Sequence, residues 1–160
     1  MIAYVPKMLV TTSFPSSKLN ANEYVRSNGR CRLTMLAPGS VGLPYGTYPR
    51  LITSWIATEA KIKKSRELYL GRSLNAFMKT LGKSSTGGAN GSISAFREQC
   101  KRLFSTSISW IEETEGSWSI ENFRIADKAT LLWESRNPGR WDATLTLEEK
   151  FFEDVLKSAV

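Results

Sequence analysis

The sequence predicts an α+β fold: a winged helix-turn-helix with an N-terminal β-hairpin ahead of it and a C-terminal helix behind it. Three observations predict it. Leu43 to Phe104 reads as three amphipathic helices, with a strand-like link after the first and a Gly/Ser-rich turn before the last. The polar faces of that stretch are strongly basic. The flanking segments alternate apolar and polar residues with the period of two that marks half-buried strands. Helix, short helix and a turn into a third helix is the order of a winged helix-turn-helix DNA-binding domain.

At 160 residues the chain is long enough for one full core, so residues 1–160 are expected to form one domain. Its 41% hydrophobic and 23% charged residues exclude wholesale disorder. No window approaches the roughly 18 apolar residues of a membrane span. MIAYVPKMLVTT lacks the charged start and long apolar run of a signal peptide. A cytoplasmic protein with no membrane partner is expected.

The net charge is +7 and unevenly placed. Lys61, Lys63, Lys64, Arg66, Arg72, Lys79, Lys83, Arg97, Lys101 and Arg102 face only Glu67 and Glu98 in the same stretch, whereas Glu112 to Glu121 is acidic. A concentrated positive field draws a polyanion, of which nucleic acid is the commonest; the alternative is charge that keeps the protein soluble. The chain has no histidine, so Ser-His-Asp and Cys-His catalysis and Cys/His zinc sites are excluded. Cys31 and Cys100 stand alone and are expected as reduced, buried thiols. No cofactor and no metal is expected.

Lys7 to Phe14 reads as a strand or extended arm. EYVRS and RCRLTML flank Asn28-Gly29, a dipeptide that suits a type I′ turn, so Glu23 to Leu36 is a β-hairpin. Its second arm sets Cys31, Leu33 and Met35 against Arg30, Arg32 and Thr34. The hairpin either covers the core or offers an edge to a second subunit, with Tyr24, Arg26, Cys31, Leu33 and Met35 as the interface candidates. After the linker Ala37 to Leu43, a helix starts at Pro49 with Thr47 as N-cap, and Leu51, Ile52, Trp55, Ile56 and Ala60 form its core face. Lys61, Lys63 and Lys64 close it, where they suit the helix dipole or a phosphate equally well.

Glu67 to Leu70 is a short strand that pairs later in the chain. Ser73 is expected to cap a helix with the stripe Leu74, Phe77, Met78 and Leu81, which Gly82 stops. Gly82-Lys83-Ser84 is not a phosphate loop, because Phe77 stands where a Walker glycine belongs and a helix precedes it. Lys83 to Ser92 is a turn whose backbone N–H groups could approach phosphate oxygens. The next helix starts at Gly91 or Ser92 and buries Ile93, Phe96, Cys100, Leu103 and Phe104. Ser94, Arg97 and Lys101 share one edge, with Arg102 beside them, and make this the recognition-helix candidate. The alternative is a solvated basic face on a core helix.

Ser107 to Ile125 forms a second hairpin, placed where a wing belongs, with an acidic tip of Glu112, Glu113 and Glu115 that would repel phosphate. An outward or partner-facing wing is therefore expected. Ala129 to Trp133 and Trp141 to Leu147 are strands, and Thr146 is expected to cap a closing helix from Leu147 to Ala159. The carboxylates Glu112, Glu113, Glu121 and Asp127 form no cluster, and no activated nucleophile accompanies them, so no enzyme activity is expected.

GLPYGTYPRLITSWIATEA, LGRSLNAFMKTLG, STGGANGSISAFREQCKRLF and LTLEEKFFEDVL together resemble the plasmid-encoded RepA family of replication initiator proteins. AYVPKMLVTTSFP and EYVRSNGRCRLTMLAPGSVGLPYG resemble its N-terminal part, so the likeness spans nearly the whole chain. The chain departs at Ser13-Phe14-Pro15-Ser16, where Leu-Pro-His is expected. The resemblance implies a bacterial initiator of two winged-helix domains, of which residues 1–160 are similar to the first and stop before the second. It implies that the first domain dimerises and grips the DNA backbone, while the second does much of the base reading. The expected partners are double-stranded DNA carrying origin repeats or an operator, a second copy of the chain, and host replication proteins. The candidate DNA contacts are Lys83, Ser84, Ser92, Ser94, Arg97, Lys101 and Arg102, with Arg66 and Arg72 as secondary contacts. The alternative is a self-association module with little DNA affinity of its own.

Overall fold

The computed structural model describes residues 14–73, 78–79, 92–134 and 136–157. The expected arm from Lys7, most of the Leu74–Leu81 helix and most of the Lys83–Ser92 turn lie outside them. The described chain runs β1 (Glu23–Asn28), β2 (Cys31–Leu36), α1 (Tyr48–Lys63), β3 (Glu67–Ser73), α2 (Ser92–Ser105), β4 (Ser107–Glu113), β5 (Trp118–Phe123), β6 (Ala126–Glu134), β7 (Asn137–Leu147) and α3 (Glu149–Lys157). The strands form two antiparallel sheets, one in the order β1-β2-β4-β5 and one in the order β3-β7-β6. The fold is α+β, as the sequence predicts.

The first hairpin forms where its alternation places it, with a shifted turn. Asn28 pairs with Cys31, so the two turn residues are Gly29 and Arg30 rather than Asn28 and Gly29. Gly29 alone takes a positive φ there, +63°, a conformation that glycine adopts without the Cβ clash of other residues. Leu33 and Met35 fill the core at 2% and 0% exposure, and Cys31 is half-buried.

α1 begins with Pro49 in its first turn, where a missing N–H costs nothing. The expected cap is absent, because the Thr47 side chain makes no capping hydrogen bond. Ile52, Ile56 and Ala60 are buried as expected, and Thr53 joins them by donating its hydroxyl to the Pro49 carbonyl at 2.7 Å. Truncating Ile52 or Ile56 to alanine would cost about 2–5 kcal/mol. The helix ends at Lys64, which is left-handed at φ 51° and returns its N–H to the Ala60 carbonyl. Lys63 pairs with Glu59 at 3.2 Å.

Strand pairing changes the role of the two later hairpins. β4 pairs with β2, so the acidic β4–β5 hairpin extends the sheet that the first hairpin begins. The strand that follows α1, β3, pairs instead with β7, which pairs with β6. The hairpin that returns to the strand after the first helix is therefore β6–β7. The expectation that Ser107 to Ile125 holds that position is corrected.

The closing helix starts two residues later than expected. Leu147 is still in β7 and buried, and Thr146 donates its hydroxyl to the Glu67 carboxylate across the β3–β7 pair, at 3.0 and 3.2 Å. Glu148 supplies the cap in its place, its carboxylate accepting from the Phe151 backbone N–H. Phe151 and Val155 then face inward. α1 packs against α2 and α3, and one core joins Leu33, Met35 and Ile108 of the first sheet with Leu68, Leu145 and Leu147 of the second. Tyr48 and Phe96 meet edge to face at 5.2 Å where α1 begins beside α2.

Candidate nucleic-acid interface

α2 is fixed by its apolar stripe. Phe96, Cys100 and Leu103 are buried, and Gln99 sinks with them to accept the Tyr45 backbone N–H at 2.8 Å. With that face fixed, Arg97 and Lys101 are turned toward β6. The Arg97 guanidinium lies over the Trp133 indole at 4.4 Å from its centroid, and the Lys101 ammonium lies 5.5 Å from the same ring. Neither cation has a carboxylate within salt-bridge distance among the described residues. One Arg97 nitrogen, Nη1, is buried without a hydrogen-bond acceptor. The nearest acid on the helix, Glu98, is taken by Arg102 at 3.0 Å. Ser94 is half-buried on the same helix edge, one turn before Arg97.

Arg102 is turned inward. Besides Glu98, it donates to the Leu43 carbonyl at 3.2 Å and lies 5.3 Å from the Tyr45 ring, with its side chain 12% exposed. Gly42, at φ +97°, makes room for it, since a Cβ there would meet Arg102 Nη1 at 2.6 Å.

The β3-β7-β6 sheet separates the two secondary candidates. Arg66 lies at the start of β3, where its Nε donates to the Leu147 carbonyl and its Nη2 pairs with Asp127, both at 2.9 Å. Arg72 lies at the far end, between the Gly71–Ala143 and Ser73–Arg140 pairs, about 20 Å along the strand. That end of the sheet also carries the β6–β7 turn, with exposed Arg136 in it and Arg140 just beyond in β7. Sequence reading placed neither of these arginines, nor Trp133, at the site. The available signal was the alternation Ala129, Leu131, Trp133, which puts the indole on the same face as the core-packed Leu131. Lys83 and Ser84 lie outside the described residues, and Ser92 is the first residue of α2.

Of the interface candidates on the first hairpin, Leu33 and Met35 belong to the core, and β2 is a central strand with β1 and β4 on its two sides. Among the described strands, β1 is one edge of its sheet. It carries half-buried Tyr24 and exposed Arg26, whose Nη1 donates to the Tyr24 hydroxyl at 3.1 Å. The other edge, β5, is exposed along its length up to Phe123, including Trp118 at 56%.

The family model described as plasmid encoded RepA protein matches residues 43–160, nearly three quarters of the chain. The chain belongs to the plasmid-encoded RepA family. No curated protein matches its sequence. Two crystal structures of RctB domains 2 and 3 share the fold of this RepA-family chain. The first has a TM-score of 0.61 at 14% identity, covering 93% of this chain and 58% of that one. The second has a TM-score of 0.59 at 14% identity, covering 89% and 59%. The RepA-family chain thus spans less than two thirds of the RctB chains it matches.

Two titrating groups of the RepA-family chain report on its packing. Cys100 is buried, and burial pushes its thiol far above the ordinary range. Cys31 is raised by burial and by the Glu112 carboxylate, whose Oε2 lies 3.7 Å from its sulfur. No group of three or more His, Cys, Asp or Glu side chains is placed to hold a metal among the described residues. No described helix is long and apolar enough to cross a membrane.

Proposed function

We propose that this RepA-family chain is a non-catalytic, DNA-binding domain of a plasmid replication initiator, acting on origin or operator duplex in the bacterial cytoplasm. In this reading the fold is a winged helix in which α2 faces the duplex and β6–β7 is the wing. The order α1, β3, α2 and a hairpin that pairs back onto β3 supports it. The observation that carries the reading is the pair Arg97 and Lys101, two cations on one ring at the junction of α2 and β6 with no ion-pair partner among the described residues. Positive charge held without acidic partners attracts phosphate, and phosphate contacts position a protein on DNA without reading its bases. Arg136 and Ser94 flank the pair, and Arg72 and Arg140 belong to the strands at the Arg136 end of the sheet. Arg66 and Arg102 stay off the proposed surface, because their donors are used inside the protein.

The test is binding of a labelled duplex, with origin and random sequence, at two salt concentrations, while the free protein is sized. Salt-sensitive binding, with a log–log slope of about −0.9 per neutralised phosphate, is expected for both duplexes. Arg97→Gln with Lys101→Gln should weaken it and leave the oligomeric state unchanged. A flat salt response sinks this reading and leaves self-association through the β1 edge as the domain's role. Homodimerisation there, and recruitment of host replication proteins, are the further partners this function implies.

A further inference from the structure

We infer that Trp133 is a positioning residue, which holds Arg97 and Lys101 ready for two neighbouring phosphate oxygens of the duplex backbone. The inference rests on the DNA-binding reading above. Its starting point is an arrangement that the free protein has no evident reason to keep. Two like charges, one on each of two successive turns of α2, converge on a single indole: Arg97 at 4.4 Å and Lys101 at 5.5 Å. They repel each other, and among the described residues the electron-rich ring face is what attracts both. Trp133 is 42% exposed, so the ring is not there chiefly to fill the core.

Long basic side chains on a helix surface sample many rotamers, and each one ordered on binding weakens association. A rigid ring stacked under Arg97 removes part of that ordering in advance. The planar guanidinium suits this role, since stacking uses its face and leaves its edge donors for an anion. Lys101 is exposed and lines a shallow groove together with Phe104, Leu131 and Trp133. The ring sits on β6 and both cations on α2, so the arrangement also fixes the wing against the helix.

The experiment compares Trp133→Phe, which keeps an aromatic face, with Trp133→Leu, which keeps an apolar side chain without one. Leu132→Ala, on the opposite exposed face of β6, is the control for damage to the strand. Duplex affinity is measured over a salt series, with far-UV circular dichroism to confirm folding. Trp133→Phe and Leu132→Ala should keep the wild-type salt slope. Trp133→Leu should lose about tenfold in affinity and reduce the slope by one to two phosphates, roughly 0.9 to 1.8. A folded Trp133→Leu protein with wild-type slope and affinity overturns the inference, as does a Trp133→Phe protein as defective as Trp133→Leu. If Trp133→Leu is unfolded, the Phe variant decides alone. Loss of binding in Arg97→Gln/Lys101→Gln together with retention in Trp133→Leu overturns only the role of Trp133. Retention in both overturns the DNA-binding reading of α2.

Discussion

Arg66 joins the three strands of one sheet at a single end: its Nη2 lies 2.9 Å from Asp127 Oδ2 at the start of β6, and its Nε donates to the Leu147 carbonyl at the end of β7, the strand on which β3 pairs. Both charged groups are substantially exposed, so the ion pair itself is worth at most about 1 kcal/mol. The hydrogen bond to the partly buried carbonyl adds a similar amount. Arg66→Gln should therefore lower stability by about 1 kcal/mol in a denaturant titration. The DNA salt slope should stay as it is. A slope reduced by about one phosphate would return Arg66 to the duplex.

The turns of the two hairpins carry opposite charge, Glu115 in one and Arg136 in the other, and in the proposed function only the second lies beside DNA. Arg136→Gln with Arg140→Gln, at the β6–β7 turn, should reduce duplex affinity several-fold and flatten the salt dependence by about two phosphates. Glu113→Gln with Glu115→Gln, at the exposed β4–β5 turn, should leave both unchanged. Fluorescence anisotropy over a salt series reads both variants. The reverse pattern would move the DNA surface to the other sheet.

Cys100 is fully buried in α2, and its thiol is held far from ionisation by that burial. Because the thiolate is the reactive form, Cys100 should react with a thiol reagent only as fast as the protein opens. Cys31, half-buried at the start of β2, should react first at mildly alkaline pH, and faster in Glu112→Gln, which removes the charge beside it. Two equal labelling rates in native buffer would contradict the packing of α2.

Glu148 caps α3 at an energetic cost. Burial raises its pKa above the ordinary 4.5, the Arg124 N–H lowers it in part, and the charge of Asp127 raises it again. One carboxylate oxygen, Oε1, is buried without a partner. A raised pKa means that the folded state holds the proton more tightly than the unfolded one. Its contribution to stability is complete below about pH 4.5 and is lost as pH rises through the folded value. Glu148→Gln should not show that loss. The melting temperature of the variant should gain on wild type between pH 4 and pH 7, whereas a constant difference would place the pH dependence elsewhere.

Local patterning made most of the elements legible. The alternation around Leu33 and Met35, the Pro49 start of α1 and the stripe Phe96, Cys100, Leu103 each report which residues share a face, and those faces are the buried ones. Strand partners were not legible, because a period of two states which way a side chain points and not which strand lies alongside. Hence β3 could be seen as a strand awaiting a partner, while the choice between β4–β5 and β6–β7 was open to misassignment. Thr146-Leu147-Glu148-Glu149 has the spacing of a capping box, yet pairing with Glu67 keeps Thr146 in the sheet and passes the cap to Glu148. The basic character of α2 was visible in the sequence. The indole that gathers its charges was not, since Trp133 and Arg97 meet only through tertiary packing.

The two sheets are threaded through each other along the chain. Leu36 finds its partner Ser107 only after α1, β3 and α2 have been made, and Glu67 waits for Thr146 across α2 and three further strands. Closing such distant pairs makes folding slow and nearly all-or-none. During synthesis the β1–β2 hairpin emerges before β4, the second strand that pairs with β2. A shorter piece ending within α2 would keep every basic residue of the helix and still lack a scaffold to present them.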